Sequence, residues 1–344
     1  MGVVARGSPP VARHHGTRSV LTLRRGRVSA VHERHEGLVR LEVDGVPCIA
    51  YPDLTGPVAL DDEVVVNVQA RELGLGSGGF DVLHANLTRG LELPPAEGAH
   101  VVKLPYTPVQ TAVRHAEEAA PLAETLEGMP VVCCSLHSQV APVCAGLAGA
   151  RVAYLQLPGG ALPVPLSDTI RTLRERGLVE ATVGVDSCFG GDLDCVNVYS
   201  ALAWAAAAGL DAAVCAIGPG VVGTGSRLGH GGMAAATAAT AAAGLGGRAV
   251  LVARVSEADR RPRHRGLSHH TEAIRSVAPA EVAGPWPAGC PFPAPDGSRV
   301  VDVTGWREAC EGLPLAHMGR GPDDDPWFFA AAFAAGTCAR QLLG

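Results

Sequence analysis

The fold of this chain is decided by five apolar runs, which read PVVCCSL (130–136), RVAYLQL (151–157), EATVGVD (180–186), DAAVCAI (211–217) and RAVLVAR (248–254). The runs are continuous rather than alternating, as is typical of strands that are buried on both faces of a sheet. Between them lie four helix-like segments, SQVAPVCAGLAG, LSDTIRTLRERG, VNVYSALAWAAAAG and MAAATAATAAAG. A repeated alternation of strand and helix predicts an α/β fold, with a mostly parallel sheet and helices on both faces.

A different pattern precedes these runs. Short β-rich segments separated by turn signals occupy residues 19–86 and read SVLTLRR, RVSAVHE, GLVRLEV, VPCIAY, EVVVNVQ and FDVLHAN. Because no helical period lies between them, they predict a small antiparallel barrel or sandwich. The sequence thus predicts a disordered tail at 1–15, a β-rich domain at 16–98 and an α/β domain at 99–344. The last domain ends in an apolar helix, which is expected to pack against the sheet or against a second copy of the chain.

The composition bounds the class of protein. Of the 344 residues, 47% are hydrophobic and 18% are charged, which supplies a large core and excludes a chain that is disordered throughout. A net charge of −6 argues against a general nucleic-acid binder. The ten cysteines include no CxxC pair and several lie in apolar runs, so we expect a reducing compartment and a cytoplasmic protein. Segment 201–222 contains Asp211 and a Gly-Pro-Gly break, so we expect it to be buried rather than to span a membrane.

Polar residues follow each of the five predicted strands. In an open parallel sheet, the loops at the carboxyl ends of the strands gather at one edge, and ligands bind there. The loops at this predicted edge contain Ser135-Leu136-His137-Ser138, Pro158-Gly159-Gly160, the acidic stretch 186–194, the glycine loop 218–232 and Ser268-His269-His270.

The glycine loop reads GPGVVGTGSRLGHGG and lies between a β-run and an Ala-rich helix. Glycine lets backbone N–H groups approach a ligand closely, and the start of a helix adds partial positive charge. The loop is therefore a candidate anion site, although its glycines can also simply close a tight turn. Its formal GxGxxG match lacks the adjoining helix and the later acidic residue of a dinucleotide site. The candidate ligand-binding residues are Gly218, Gly220, Gly223, Thr224, Gly225, Ser226 and Arg227.

The acidic stretch offers Asp186, Asp192 and Asp194 as candidate metal ligands, because three carboxylates that face one cleft recruit a divalent cation. The same stretch can equally be a solvated turn. Another interpretation has two or three histidines joining Asp186 or Asp192 in a zinc or iron site. The candidate catalytic residues, which would act as acids, bases or proton carriers, are Asp186, Asp192, His137, His230 and His269.

Three of these segments, DSCFGGDLDCVNVYSA, GPGVVGTGSRLGHGGM and GLSHHT, together resemble an uncharacterised bacterial family catalogued as domain of unknown function 3866. The likeness covers nearly the whole chain apart from the N-terminal tail. It implies a cytoplasmic bacterial protein, and it implies no activity or catalytic residue.

The sequence supports two classes of function. The first is an enzyme that acts on a small anionic metabolite, phosphorylated or carboxylated, bound at the glycine loop. A metal-dependent hydrolase is the alternative within this class. The second class is a non-catalytic protein whose sheet edge senses a ligand, with the β-rich domain contacting a partner. No membrane partner is expected. Nucleic acid is a disfavoured partner, and the arginines of the β-rich segment are the feature that argues for it.

Overall fold

The computed structural model describes residues 21–74, 78–94 and 96–343. The tail predicted at 1–15 lies outside these residues. Within them, the chain forms an N-terminal β-barrel and a six-stranded parallel sheet covered by helices. The predicted α/β fold class, with a mostly parallel sheet and an N-terminal β domain, is therefore confirmed.

The barrel consists of β1 (Leu23–His35), β2 (Leu38–Val43), β3 (Val46–Ala50), α1 (Pro52–Thr55), β4 (Glu63–Asn67), α2 (Gln69–Glu72) and β5 (Asp81–Asn86). It closes in the order β1-β2-β3-β5-β4, with β4 paired to β1. The predicted strand at 27–33 and residues 23–25 of the predicted strand at 19–25 lie on one strand, β1, while residues 19 and 20 lie outside the described residues. Register shifts near Val28 and Val31 let the first half of β1 pair with β4 and the second half with β2.

Strand pairing in the barrel is mixed rather than wholly antiparallel. β3 and β5 pair in parallel, while the other neighbouring strands pair antiparallel. Direction must alternate around a wholly antiparallel barrel, which requires an even number of strands. A closed barrel of five strands therefore contains at least one parallel pair.

The sheet follows a short hairpin of β6 (Val101–Lys103) and β7 (Thr111–Val113). Its strands are β8 (Pro130–Cys134), β9 (Val152–Leu157), β10 (Ala181–Val185), β11 (Leu193–Cys195), β12 (Ala212–Ile217) and β13 (Arg248–Leu251). All neighbours are parallel, in the order β11-β10-β9-β12-β8-β13. The five predicted strands are thus present. The sixth strand, β11, lies inside the acidic stretch, where no apolar run reveals it.

Helices cover both faces of the sheet, with α3 (Val140–Gly146) and α4 (Asp168–Glu175) on one face and α5 (Val198–Ala207) and α6 (Ala234–Gly244) on the other. The remaining elements are β14 (Val255–Ser256), β15 (Gly266–Leu267), α7 (His269–Arg275), β16 (Pro285–Pro287), β17 (Arg299–Val301), α8 (Trp306–Ala309) and α9 (Pro326–Arg340). The predicted C-terminal helix is α9, and it packs against the sheet on the same face as α3. In the described part of the chain, no helix has both the length and the apolar character needed to cross a membrane.

The topology places the expected ligand crevice beyond β9 and β12. These strands are neighbours, but the helices that follow them, α4 and α6, lie on opposite faces, so the chain diverges beyond their carboxyl ends. The barrel lies beside the same edge. Tyr51 packs edge-on against Phe189, which follows β10, with 5.9 Å between ring centroids. Arg40 Nη2 also donates to both carboxylate oxygens of Asp168 at 2.9 Å.

Candidate functional site

The crevice between β9 and β12 is filled by protein backbone. The loop after β9 contacts the glycine loop after β12, and the Ala161 N–H donates to the Pro219 carbonyl at 2.8 Å. A Cβ on Gly160 would overlap the Gly218 carbonyl, and a Cβ on Gly218 would overlap the Ala161 carbonyl. These two glycines are therefore required by the close packing of the loops.

Residues 220–229 of the glycine loop form an exposed turn in which several polar groups bond to one another. The Thr224 N–H donates to the Gly229 carbonyl at 2.8 Å, and the Thr224 and Ser226 hydroxyls are 2.9 Å apart. Arg227 Nη2 donates to Ser276 Oγ, just after α7, at 2.7 Å. The other predicted glycines of the loop lie in the same exposed turn, namely Gly220, Gly223 and Gly225. Several candidate ligand groups thus have partners within the protein, and anion binding by this loop stays a prediction.

His137 lies after β8, and both of its ring nitrogens have partners. Nε2 is 2.6 Å from Ser167 Oγ, and Nδ1 is 3.3 Å from both the Ile217 carbonyl and the Tyr154 hydroxyl. Because a carbonyl only accepts, Nδ1 carries the proton and Nε2 accepts from Ser167. Burial lowers the pKa of His137 to about 4, so the ring is neutral at pH 7. His137 is therefore a neutral link between β8, β9 and β12.

We expect His137 to make the protein less stable in acid. Its pKa is lowered from an ordinary value of 6.5 to about 4 in the folded protein, so the ring takes up a proton on unfolding. Its contribution is therefore complete above pH 6.5 and is lost as the pH falls toward 4. Between pH 7 and pH 5 this loss amounts to about 2 kcal/mol.

Urea unfolding at the two pH values measures the effect. His137→Gln should lose about 2 kcal/mol less than the wild type between pH 7 and pH 5. His32→Gln, on the exposed side of β1, is the matched control and should follow the wild type. Equal pH dependence in His137→Gln and the wild type would contradict the prediction.

The three aspartates of the acidic stretch do not share a site. Asp192 accepts from the Thr182 N–H at 2.8 Å and from its hydroxyl at 3.0 Å. Asp194 is buried, with Oδ1 3.1 Å from Lys103 Nζ, whereas Asp186 is exposed. Across residues 21–74, 78–94 and 96–343, these carboxylates do not form a group of three ligand atoms that could hold a metal ion.

Four histidines meet beyond the carboxyl end of β13. The ring of His230, at the end of the glycine loop, stacks on that of His270 with 3.6 Å between centroids. The ring centroid of His269 lies 4.5 Å from that of His270 and 4.8 Å from that of His264. Ser268, which caps the N-terminus of α7, fixes the start of the helix that carries two of these rings. We call these four residues the histidine cluster. It unites two of the predicted catalytic residues, His230 and His269, and the other three are not members.

Two members of the histidine cluster have fixed ring orientations. His264 Nδ1 is 2.7 Å from Ser268 Oγ, and Arg254 Nη1 donates to His270 Nδ1 at 3.2 Å. Because a guanidinium only donates, Nδ1 of His270 carries no proton, and the neutral ring has its proton on Nε2. Burial, followed by nearby positive charges that include Arg254, lowers the pKa of His264 to about 3. Burial, followed by the neighbouring His230, likewise lowers the pKa of His270 to about 2.

The other two members have buried nitrogens without hydrogen bonds to any residue of 21–74, 78–94 and 96–343. These atoms are Nε2 of His269 and both ring nitrogens of His230. Burial, followed by the charge of His269, lowers the pKa of His230. The nearby Arg227 backbone opposes this lowering, although the contact does not have hydrogen-bond geometry. A buried polar atom without a partner costs roughly 1–3 kcal/mol, which makes these nitrogens candidates for binding a ligand.

His264, His269 and His270 could hold a metal ion, because one ligand nitrogen from each lies within 4.8 Å of the other two. Neutral imidazole is a common ligand of zinc and of other divalent transition metals. Tetrahedral zinc requires nitrogen separations of about 3.3 Å, so the rings would move closer together by side-chain rotation. Asp186 follows β10, which is four strand positions from β13, or about 19 Å at the usual spacing. The structure therefore does not bring Asp186 to the histidine cluster.

Arg254, which donates to His270 of the cluster, belongs to a network of three arginines and two aspartates. Arg261 Nη2 lies 2.8 Å from Asp259 Oδ2, and Arg254 and Arg320 approach the same oxygen at 3.4 and 3.5 Å. Arg320 Nε also lies 3.2 Å from Oδ2 of the buried Asp325. Burial raises the pKa of Asp259, but hydrogen bonds from Arg261 and the charges of the arginines bring it well below the usual range. Three positive charges thus face two negative ones, which leaves one positive charge in excess.

Sequence reasoning missed most of the residues that surround this site, namely Arg254, Asp259, His264, His317 and Arg320. His264 could have been identified from the sequence, because it lies five residues before the His269-His270 pair in the basic stretch RRPRHRGLSHH. The others have no local pattern, since they lie on separate segments that only folding brings together.

The fold and the site define an α/β protein with an N-terminal β-barrel and a buried histidine cluster at the carboxyl edge of its sheet. A family model described as protein of unknown function (DUF3866) matches residues 47–288, a range that contains the whole sheet and the histidine cluster. The chain belongs to this family, as the resemblance of its loops implies. A search of the curated proteins finds no match to the sequence.

Proposed function

We propose that this protein is a metal-dependent enzyme that acts on a small anionic metabolite, with zinc or a similar divalent metal held by the histidine cluster. The observation that carries the proposal is the group of ligand nitrogens on His264, His269 and His270 within 4.8 Å of one another, in which the buried His269 Nε2 has no hydrogen bond to the described residues. A metal ion would provide the partner that His269 Nε2 lacks, and neutral, buried imidazoles suit this role.

The charge around the cluster supports an anionic substrate. Arg254, Arg261 and Arg320 together exceed the charge of Asp259 and Asp325 by one. A phosphate or carboxylate would supply the missing negative charge, and guanidinium groups recognise both. Several arginines of the barrel have carboxylate or carbonyl partners in the protein, namely Arg24, Arg25, Arg27, Arg34 and Arg40. Because these partners compete with the phosphates of a nucleic acid, the arrangement favours a small metabolite as the ligand.

Hydrolysis is the reaction class that this arrangement favours. A zinc ion held by His264, His269 and His270 would supply a Lewis acid that activates water near neutral pH. His230 lies outside the group of three ligand nitrogens and stacks on His270, and its own nitrogens have no hydrogen bonds. It is therefore the residue of the cluster that can accept or donate a proton during the reaction.

We expect the metal-free protein to bind one zinc ion at the histidine cluster. His269→Asn removes one imidazole, so it should weaken zinc binding by more than the roughly 10–100-fold that loss of an outer-shell partner costs. Isothermal titration calorimetry with Zn²⁺ measures the change. His84→Asn, on β5 of the barrel, is the matched control and should bind zinc as the wild type does.

Two results would overturn the metal centre: no zinc binding by the wild type, or equal zinc binding by His269→Asn and the wild type. The enzymatic part has its own test. A thermal-shift screen of sugar phosphates, nucleotides and carboxylates with the zinc-loaded protein identifies a ligand, and the ligand is then assayed for turnover. Binding without turnover would overturn the enzyme and indicate a ligand sensor.

A further inference from the structure

Arg254 is a buried arginine with an incomplete set of partners. Its side chain is 2% exposed, Nη1 donates to His270 Nδ1 at 3.2 Å, and Nη2 lies 3.4 Å from Asp259 Oδ2. Its Nε is buried and has no hydrogen bond. Burial, followed by the charges of Arg261 and Arg320, lowers the pKa of Arg254 to about 10, so the group remains a cation at pH 7. A buried cation is costly unless it is paired, so each of its acceptors matters.

Metal binding by His270 is incompatible with the hydrogen bond from Arg254. If Nδ1 of His270 binds the metal, its lone pair is no longer available to Arg254. If Nε2 binds the metal, the neutral ring must carry its proton on Nδ1, and two donors then face each other. In either case Arg254 loses an acceptor in a buried site.

We infer that Arg254 then binds an oxygen of an anionic ligand, phosphate or carboxylate, so that the metal and the anion bind cooperatively at neighbouring positions. This inference rests on the proposed metal centre. It identifies Arg254, rather than the glycine loop, as the residue that holds the anion.

Two further side chains of the same group, His317 and Arg320, have buried nitrogens without hydrogen bonds among the described residues. His317 Nε2 is buried without a hydrogen bond, while Nδ1 lies 3.1 Å from Ser138 Oγ. The ring is held by stacking on Phe328, with 3.9 Å between centroids. The backbone of His317 pairs with that of Arg320, and the Arg320 guanidinium approaches the same Asp259 oxygen as Arg254 does, so His317 belongs to this group. Burial lowers the pKa of His317 to about 3, and the charge of Arg254 adds to this lowering. Arg320 Nη2 is also buried and makes no hydrogen bond, although it lies 3.5 Å from Asp259 Oδ2.

Arg254 Nε and Arg320 Nη2 are donors, and His317 Nε2 is a donor when Ser138 donates to Nδ1, which together is the pattern an oxyanion requires. Phosphate carries more charge than a carboxylate and has more acceptor oxygens, so it should satisfy Arg254, His317 and Arg320 more completely. We therefore expect stronger coupling of the metal to a phosphate monoester than to a carboxylate.

Calorimetric titration of Zn²⁺ into the metal-free protein tests this inference. The titration is run in methyl phosphate, in acetate and in sodium chloride at matched ionic strength. We expect methyl phosphate to raise the zinc affinity by about tenfold, and zinc to raise the affinity for methyl phosphate by the same factor, because coupling is reciprocal. Zinc binding of equal strength in all three solutions would overturn the inference and leave the metal centre standing. Absence of zinc binding would overturn the proposed function itself.

Variants separate anion binding by Arg254 from simple anion binding to the metal. Arg254→Met should keep zinc binding and lose the coupling, whereas the exposed Arg265→Met should retain both. If circular dichroism shows that Arg254→Met does not fold, His317→Gln takes its place and should reduce the coupling. Full coupling in the folded Arg254→Met, or in His317→Gln where that variant replaces it, would overturn the inference. Loss of the coupling in Arg227→Ala alone would assign the anion to the glycine loop and would also overturn it.

Discussion

Replacing Lys103 with Met is expected to destabilise the protein by about 3–5 kcal/mol, because the substitution leaves a buried carboxylate without its counter-charge. Lys103 Nζ lies 3.1 Å from Asp194 Oδ1, and the two side chains are 1% and 12% exposed. The same ammonium group donates to the Gly184 carbonyl at 2.9 Å and to the Cys188 carbonyl. Burial raises the pKa of Asp194, and Lys103 opposes this rise. The only lysine of the chain thus ties β6 to the edge formed by β10 and β11.

Urea unfolding at pH 7 compares Lys103→Met with the wild type. The double variant Lys103→Met/Asp194→Leu removes both charges, so it should recover part of the lost stability. It should stay below the wild type, because the carbonyls of Gly184 and Cys188 lose their donor. A Lys103→Met protein within about 1 kcal/mol of the wild type would contradict the prediction.

Gly336→Ala is expected to destabilise the protein by about 3 kcal/mol, at the upper end of the range for overpacking. A Cβ on Gly336 would overlap the backbone carbonyl of Val143, which belongs to α3. The contact is reciprocal, since a Cβ on Gly146 would lie 2.6 Å from the Phe333 carbonyl oxygen and 2.8 Å from the Thr337 nitrogen. Helices α3 and α9 are therefore in backbone-to-backbone contact. Side-chain rotation cannot make space for a Cβ there, so one of the two helices would have to shift as a whole.

Gly244→Ala is the matched control for this substitution. Gly244 ends α6 and is exposed, and a Cβ at this position would meet no atom within 4 Å. Ala is favoured over Gly in a helix by up to about 1 kcal/mol, so this variant should be neutral or slightly more stable. Thermal and urea unfolding of both variants measure the contrast. A Gly336→Ala protein as stable as Gly244→Ala would show that α9 does not depend on close contact with α3.

Much of the architecture could be predicted from local pattern. A strand such as 130–134 is apolar on both faces, and the Ala-rich segment of α6 is too long and uniform for a strand, so the alternation of strand and helix is visible in the sequence. Strand β11 could not be predicted, because Leu193–Cys195 is short and contains a charge that pairs with Lys103, a residue far away in the sequence. The parallel pairing of β3 with β5 depends on barrel closure, which no single strand encodes.

The site was only partly predictable. His230 and His269 follow predicted strands, so the expectation of a common edge brings them together correctly. The same expectation groups them with Asp186 and His137. Asp186 follows β10, four strand positions from β13, so it remains far from the cluster. His137 follows β8, the neighbour of β13, but its ring bonds to Ser167 and the Ile217 carbonyl instead. The bonding of His137 to Ser167 also depends on a neighbour that has no motif.

The sequence by itself determined the α/β fold, the β-rich N-terminal domain and the loops from which a ligand site would be built, because these follow from the periodicity of apolar residues along the chain. Only the tertiary structure decided which polar groups meet. Arg254, His270 and His317 come from separate segments, and their chemistry depends on distances and burial that local pattern does not specify. Hydrophobic periodicity is repeated over many residues, so it can be recognised in the sequence. A hydrogen bond or a metal–ligand bond is a single contact between residues that can be far apart in the chain, so no local pattern reveals it.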